Sequence, residues 1–441
     1  MEVSSILRLK NSMEGFNDAF VRGEKMKERE KASFLWFDTG AIKKENTQRI
    51  YMDHAATTFP KPECVCDAMD QVNRCLSVNA GRGSYQLAQI AVEGMDGLRD
   101  ELLKMAHAEE VGEVFFTSSA TIACNEIIGG CALSQRDVVY VSPFLHNAVA
   151  RPLYLSEKLS GCTIKELPLK KEDLEIDLEK MEYEFRQNPP SYVFCSHVCN
   201  VTGYILPIAD IFNIAKNVTG GAAKVIVDAA QAFGVLELNL GLQPYDAVIF
   251  AGHKTLYGPF GIAGFIKKKD FTLETYLAGG TGSQSLNLSM PTKSPHNLEI
   301  GSPNIPAIAG LYAAVQFLKE QGMDCIRQHK KEMSELLLEG LSSIEGVTVY
   351  VPKDREHHIG IVSFSVKDWM GEACLSEDIG RLLDLEYGIA VRTGYHCAPL
   401  VHKHLNDQQY GGTVRASVSW FTTKEEVERF LQAVGEIVEG V

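Results

Sequence analysis

Residues 224–231 read KVIVDAAQ and residues 246–254 read DAVIFAGHK. Both contain apolar runs without polar alternation, so both faces of each strand are expected to be buried. Each run ends in polar residues: Asp228 and Gln231 after the first, His253 and Lys254 after the second. Similar runs flank them: EVFFT (113–117), DVVYVSP (137–143), YVFCSHV (192–198) and GIAGFI (261–266). Most of the early ones are separated by helix-length segments such as IADIFNIAKNV (208–218). Strands apolar on both faces and alternating with helices predict an α/β fold with a mainly parallel central sheet covered by helices on both sides. Ligands of such sheets bind beyond the carboxyl ends of the strands, and that is the edge where these four polar residues fall.

Beyond residue 310 the texture changes. Two helical stretches, IAGLYAAVQFLKEQG (308–322) and IRQHKKEMSELLLEGLSSI (326–344), lead into shorter strands: VTVYV (347–351), IGIVSFSV (359–366), IAVRT (389–393) and TVRASVSW (413–420). The reading is a large unit over 49–310 and a smaller α+β unit over 311–441, since 441 residues exceed what one core comfortably organises. Residues 1–48 stand apart as an N-terminal extension. Ile6, Leu7, Met13, Phe16 and Phe20 are spaced to line one helix face, and the charged stretch GEKMKEREK (23–31) follows.

The net charge of -14 disfavours nucleic acid and anionic membranes as partners. The 11 cysteines form no CxxC pair and no Cys/His ligand cluster, which fits a reducing cytoplasm and no metal site. No apolar run is long enough to span a bilayer, and the first residues lack the apolar stretch of a secretory signal.

The residue types at the strand ends point to one chemistry. A partly desolvated lysine such as Lys254 loses its proton readily and attacks an aldehyde. A carboxylate such as Asp228 pairs with a protonated pyridine nitrogen and keeps that ring an electron sink. These are the needs of pyridoxal 5'-phosphate (PLP), with Lys254 as its Schiff-base lysine. Taken singly, Asp228 reads equally as a helix cap and Lys254 as a surface lysine; their joint placement at strand ends, followed by GPFGIAG (258–264), favours the cofactor. A phosphate needs a helix N-terminus with free N–H groups, and FFTSSATIACNEIIGG (115–130) supplies one, with Ala120 and Thr121 as donors. The same residues also serve as an ordinary N-cap. His146, after the strand DVVYVSP, fits a place stacked on the ring where it relays protons, and it fits a satisfied structural histidine equally. Gln231 and Asn200, the latter in SHVCNVTG (196–203), are placed to bond the ring oxygen; Asn200 fits an Asx turn equally well.

YMDHAATTFPKP (51–62), the Ala-Thr turn, His146, SHVCNVTG, DAAQ, GHK and IAVRTGYHCAP (389–399) occur in that order. Together they resemble the cysteine desulfurase branch of the class V aminotransferases, which have fold type I of PLP enzymes. The resemblance runs from about residue 50 to the C-terminus. It implies that Lys254 carries the cofactor, Asp228 pairs with the pyridine nitrogen, His146 stacks on the ring, and Thr121 and His253 contact the phosphate. It implies that Arg415, in TVRAS (413–417), clamps the substrate carboxylate, a task suited to a guanidinium. It implies a homodimer, in which Thr281 of GGTGS (279–283) resembles the element that reaches a neighbouring subunit's phosphate. Cys397 matches the sulfur-accepting cysteine, in a loop whose cationic neighbours, with His396 adjacent, are expected to favour thiolate. The implied activity converts L-cysteine to L-alanine and leaves a persulfide on Cys397 for an acceptor protein.

The chain departs from that pattern in three places. Ala251 stands where a phosphate-binding Ser or Thr is usual, Ser119 where glycine is common, and Leu145 where an acid precedes the histidine. One lost hydroxyl removes roughly 1 kcal/mol of phosphate binding, which weakens cofactor affinity without abolishing it. A selenocysteine lyase, another class V aminotransferase or C–S lyase, and a non-catalytic partner protein on the same fold are the alternative readings.

Overall fold

Seven strands form the central sheet, and the side chains of all but the edge strand Thr163–Glu166 point alternately to two separate cores. In chain order they are β1 (Gly112–Thr117), β2 (Val138–Val141), β3 (Thr163–Glu166), β4 (Tyr192–Ser196), β5 (Lys224–Asp228), β6 (Ala247–Ala251) and β7 (Ala263–Lys268). The computed structural model describes residues 49–440 apart from 81, 82, 84, 171 and 242–244. The helical reading of residues 1–48 lies outside the described residues. The spatial order of the sheet is β1-β7-β6-β5-β4-β2-β3.

Val225, Val227, Val248 and Phe250 enter one core, with Leu311, Ala314, Val315 and Leu318 of the helix Ile305–Gln321. Ile226, Ala247 and Ile249 enter the other, with Ala123, Ile127 and Ile128 of the helix Ala120–Gly130. Burying a Val or Ile side chain contributes about 1.5–3 kcal/mol, so a strand buried on both faces is held without any alternation of polarity. This accounts for the unbroken apolar runs.

Strands β2 to β6 are joined in parallel register, with Ser196 level with Asp228 and Asp228 level with Ile249. The GIAGFI strand differs: β7 runs antiparallel between β1 and β6, pairing Ala263 with both Thr117 and Ala251. Only a short connection, residues 252–262, separates β6 from β7. That is too short for the helical crossover a parallel neighbour requires, so the chain returns as a hairpin. Within that connection, a Cβ on Gly252 would lie 2.6 Å from the Ile262 carbonyl oxygen. The turn before His253 and Lys254 therefore requires glycine.

A second sheet is antiparallel throughout: β8 (Val347–Tyr350), β9 (Ile361–Val366), β10 (Arg392–Gly394) and β11 (Thr413–Ser417), in the order β8-β9-β11-β10. Its buried face packs on the helices Met323–Ser343, Ser376–Tyr387 and Lys424–Gly440. The first described residues belong with this sheet. Ile50 and Tyr51 pair in parallel with Ile389 and Ala390, and Ile50 and Met52 lie in the same core as Val362 and Phe364. The chain then crosses toward the ends of the central strands, carrying YMDHAATTFPKP between the two sheets. No helix of the described residues is long and apolar enough to cross a membrane.

Candidate functional site

The carboxyl ends of β1, β2, β4, β5 and β6 deliver the residues singled out from the sequence. Asp228 closes β5, and Ala230 N–H donates to its Oδ1 at 3.0 Å. Burial raises the Asp228 pKa, and the nearby Lys254 ammonium opposes that rise. Lys254 follows β6. Burial lowers its pKa; Asp228 pulls it back up, and the Arg415 and Arg392 guanidinium groups push it down. The lysine is thus balanced between one anion and two cations, and its neutral amine is accessible at far lower cost than on a surface lysine.

Both histidines near Lys254 are neutral. His146 is the N-cap of the helix Asn147–Ser160, and its Nδ1 accepts the Ala148 N–H at 3.0 Å, which leaves its proton on Nε2. Burial, then Lys254 and Arg392, lower its pKa to about 3. His253 stacks on Phe260 with ring centroids 4.5 Å apart, and burial, Lys254 and Lys61 lower its pKa to about 3.

Ser119 caps the helix Ala120–Gly130 by accepting the Ile122 N–H at 3.3 Å, and Thr121 lies exposed in its first turn. The three departures from the expected pattern have local reasons. Serine replaces glycine as a helix cap, Leu145 is fully buried in the core beneath the helices, and Ala251 is the buried last residue of β6. Thr281 lies in the irregular stretch between β7 and the helix Ile305–Gln321, where its hydroxyl is 3.1 Å from that of Ser283. No contact of Thr281 with the other site residues is seen.

The two amides serve the protein as well as any ligand. Gln231 Nε2 donates to the Ala55 carbonyl at 2.7 Å, and Asn200 Nδ2 donates to the His396 carbonyl at 2.8 Å. Asn200 Oδ1, His253 Nδ1 and Arg415 Nε are buried polar atoms without a protein partner. Arg415, 1% exposed, spends one N–H on the Asn200 carbonyl and one on Asp53 Oδ1, each at 2.8 Å. Asp53 therefore neutralises a guanidinium that burial would otherwise penalise. It sits inside the quoted YMDHAATTFPKP stretch, yet nothing in that string named arginine as its partner.

Cys397 is exposed, at a cavity of about 300 Å³ whose walls include Asn147, Arg392, Thr393, Tyr395 and Pro399. The expectation of a cationic His396 beside it is corrected by the structure. His396 is buried, its Nε2 lies 2.8 Å from Thr413 Oγ1, and burial followed by Arg415 and His402 holds its pKa well below the usual value. The cation next to the thiol is Arg392, whose guanidinium is 3.5 Å from Sγ. Arg392 lies in the IAVRTGYHCAP stretch, five residues before the cysteine, and the sequence reading passed over it. His396 and Cys397 both adopt left-handed backbone, with φ of 46° and 56°, which costs roughly 1–2 kcal/mol per residue. The Asn200 amide on the His396 carbonyl and the Asn147 N–H on the Cys397 carbonyl, at 2.8 and 2.7 Å, hold the turn.

The family model described as "Aminotransferase class-V" matches residues 50–430. The chain belongs to that family. Among the relatives of this class-V chain is a protein of Halalkalibacterium halodurans named "Probable cysteine desulfurase", 33% identical over 86% of this chain and 90% of its own length. A cysteine desulfurase of Escherichia coli is 30% identical over 88% and 93%. The apo structure of a cysteine desulfurase from Thermococcus onnurineus superposes with a TM-score of 0.81 at 30% identity, covering 90% of this chain and 96% of that one. The class-V chain thus sits in the cysteine desulfurase branch and has the α/β architecture of fold type I PLP enzymes.

The site residues fit PLP. A desolvated amine, a buried carboxylate 26 positions earlier whose burial-raised pKa that amine's charge opposes, and a capped helix N-terminus provide for the aldehyde, the ring nitrogen and the phosphate. The orphaned Asn200 Oδ1, His253 Nδ1 and Arg415 Nε are polar atoms available to a ligand. Among the described residues no group of three or more His, Cys, Asp or Glu side chains is arranged to hold a metal ion.

Proposed function

We propose that the chain is a PLP-dependent cysteine desulfurase that removes sulfur from L-cysteine, leaves L-alanine, and carries the sulfur as a persulfide on Cys397. The observation that carries this reading is the pairing of a buried Lys254–Asp228 couple with an exposed thiol at Arg392, an arginine whose charge also acts on Lys254. Bound PLP supplies an aldehyde for the substrate amine and a ring that accepts electrons from Cα. Asp228 keeps that ring nitrogen protonated, Ala120, Thr121 and His253 hold the phosphate, and Gln231 and Asn200 bond the ring oxygen. His146 packs on the ring and offers its Nε2 proton.

Arg415 takes the substrate carboxylate with the donors that Asp53 and Asn200 leave free. Lys254, once released as a neutral amine, moves the proton at Cα. The Cys397 thiolate attacks the substrate sulfur: an S–S bond forms, the Cβ–S bond breaks, and its electron pair goes to Cβ, which is then protonated. Cysteine and thiol become alanine and persulfide, so no outside oxidant enters. Arg392 stabilises the attacking thiolate. The sulfur then passes to an acceptor thiol, for which an exposed cysteine on a surface cavity is suited.

The partner arrangement we infer is a homodimer, with Thr281 of one copy reaching the phosphate of the other. Three units are inferred along the chain: 1–48, 49–310 and 311–441. A cytoplasmic setting accords with 11 cysteines that form no disulfide. Incubation with PLP and L-cysteine, followed by mass spectrometry, tests the reading. Alanine and a mass gain of one sulfur atom on the Cys397 peptide are expected. A keto acid with no added sulfur would replace it with an ordinary aminotransferase, and faster turnover of selenocysteine than of cysteine by the unsubstituted protein, measured side by side, would replace it with a selenocysteine lyase.

A further inference from the structure

The left-handed turn at His396 and Cys397 needs support from beneath, and a second histidine lies there. His402 and Asp407 are both buried, at 3% and 0% exposure, and His402 Nδ1 is 2.5 Å from Asp407 Oδ2. The His402 ring lies 5.9 Å from the His396 ring, tilted by 35°. His402 Nε2 and His396 Nδ1 are both buried nitrogens without a protein partner. Two facing rings thus each carry an unsatisfied nitrogen in a region closed to bulk solvent.

Hydrogen-bond bookkeeping assigns the protons. His396 Nε2 is 3.1 Å from the Thr413 carbonyl, which only accepts, so Nε2 carries the proton and Nδ1 presents a lone pair. Asp407 takes the His402 Nδ1–H. One buried water donating to both His402 Nε2 and His396 Nδ1 would satisfy the two nitrogens together. The remaining groups facing this chain are Arg392 and Arg415 toward His396, Tyr395 edge-on to His402, and Tyr350 beside Asp407.

We propose that His402, held by Asp407, is a positioning residue for Cys397: it fixes the His396 ring and, through it, the left-handed turn that presents the thiol to Arg392. The proposal extends the desulfurase reading, but its test needs no substrate. Alkylation of the full-length holoprotein by iodoacetamide, followed residue by residue by mass spectrometry, reports on the turn directly. In Asp407→Asn and in His402→Phe the Cys397 rate should fall by about five- to tenfold, while the exposed Cys64, Cys66, Cys75 and Cys325 react as before and the buried Cys195 and Cys199 stay protected. An unchanged Cys397 rate in both variants overturns the proposal. If the buried cysteines become reactive, the fold has loosened, and histidine nitrogen NMR of the unsubstituted protein decides instead. His396 protonated on Nε2 with His402 protonated on Nδ1 supports the chain of bonds; His396 protonated on Nδ1, or His402 without a proton on Nδ1, overturns it. A chain without any desulfurase activity would still give each of these readouts.

Discussion

Lys254 and Cys397 are the two nucleophiles we propose for this molecule, and their surroundings are opposite. Lys254 sits at the end of a fully buried strand, after a glycine turn with no room for a side chain, and its charge is balanced by Asp228 against two arginines. Cys397 is exposed on a strained turn held by hydrogen bonds from the distant Asn147 and Asn200. The contrast follows from the two jobs. Imine chemistry needs a desolvated amine with a low pKa, whereas a thiol that must meet first a substrate and then an acceptor has to remain reachable.

Removing Lys254 should cost most. Lys254→Ala is expected to lower kcat by about 10⁴-fold, the upper range for a positioned proton-transfer group, and to eliminate borohydride trapping of the cofactor. A trapped label on any other lysine would break the comparison at its first term. Cys397→Ser should lower sulfide release under reductant by about 10³-fold while the cofactor's visible absorbance band is retained. Loss of that band would mean the two regions are not separable.

Arg415→Lys keeps the charge but loses the fork. A rise in KM of roughly 30-fold, about 2 kcal/mol of lost charge-assisted bonding, with a smaller effect on kcat, is expected in steady-state kinetics.

The smallest effect concerns acid. His146 and His253 have folded pKa values of about 3, below the unfolded value of 6.5. The unfolded chain therefore binds more protons in that window, and their contribution to stability, complete above pH 6.5, is lost as the pH falls toward 3. The slope is up to about 1.4 kcal/mol per pH unit for each histidine. Urea unfolding between pH 6.5 and 4 should show that slope reduced by close to one proton in His146→Gln. An unchanged slope would mean the imidazole beside Lys254 is solvated, and the contrast between the two regions would narrow.

Much of this was legible in the chain. The runs KVIVDAA and DAVIFAG identified buried strands because a strand covered on both sides needs no polar face. The polar residues that end them marked the site because strand ends are where the backbone opens to ligands. Arg392 was not legible beside the cysteine because it lies five residues away and is brought to the thiol only by the fold, and the antiparallel course of β7 was not legible because apolar content does not record direction.

What the sequence by itself determined is the local chemistry: which segments are buried strands, which lysine follows one, and which cysteine lies in a polar loop. These depend on residues close together in the chain. Only the tertiary structure decided that Asp53 neutralises Arg415 362 positions away, that Arg392 rather than His396 is the cation beside Cys397, and that Gln231 and Asn200 brace backbone carbonyls of other segments. The physical reason is that charge and hydrogen-bond partners are chosen by distance in space and by exclusion of water, and neither is encoded in the spacing of any one segment.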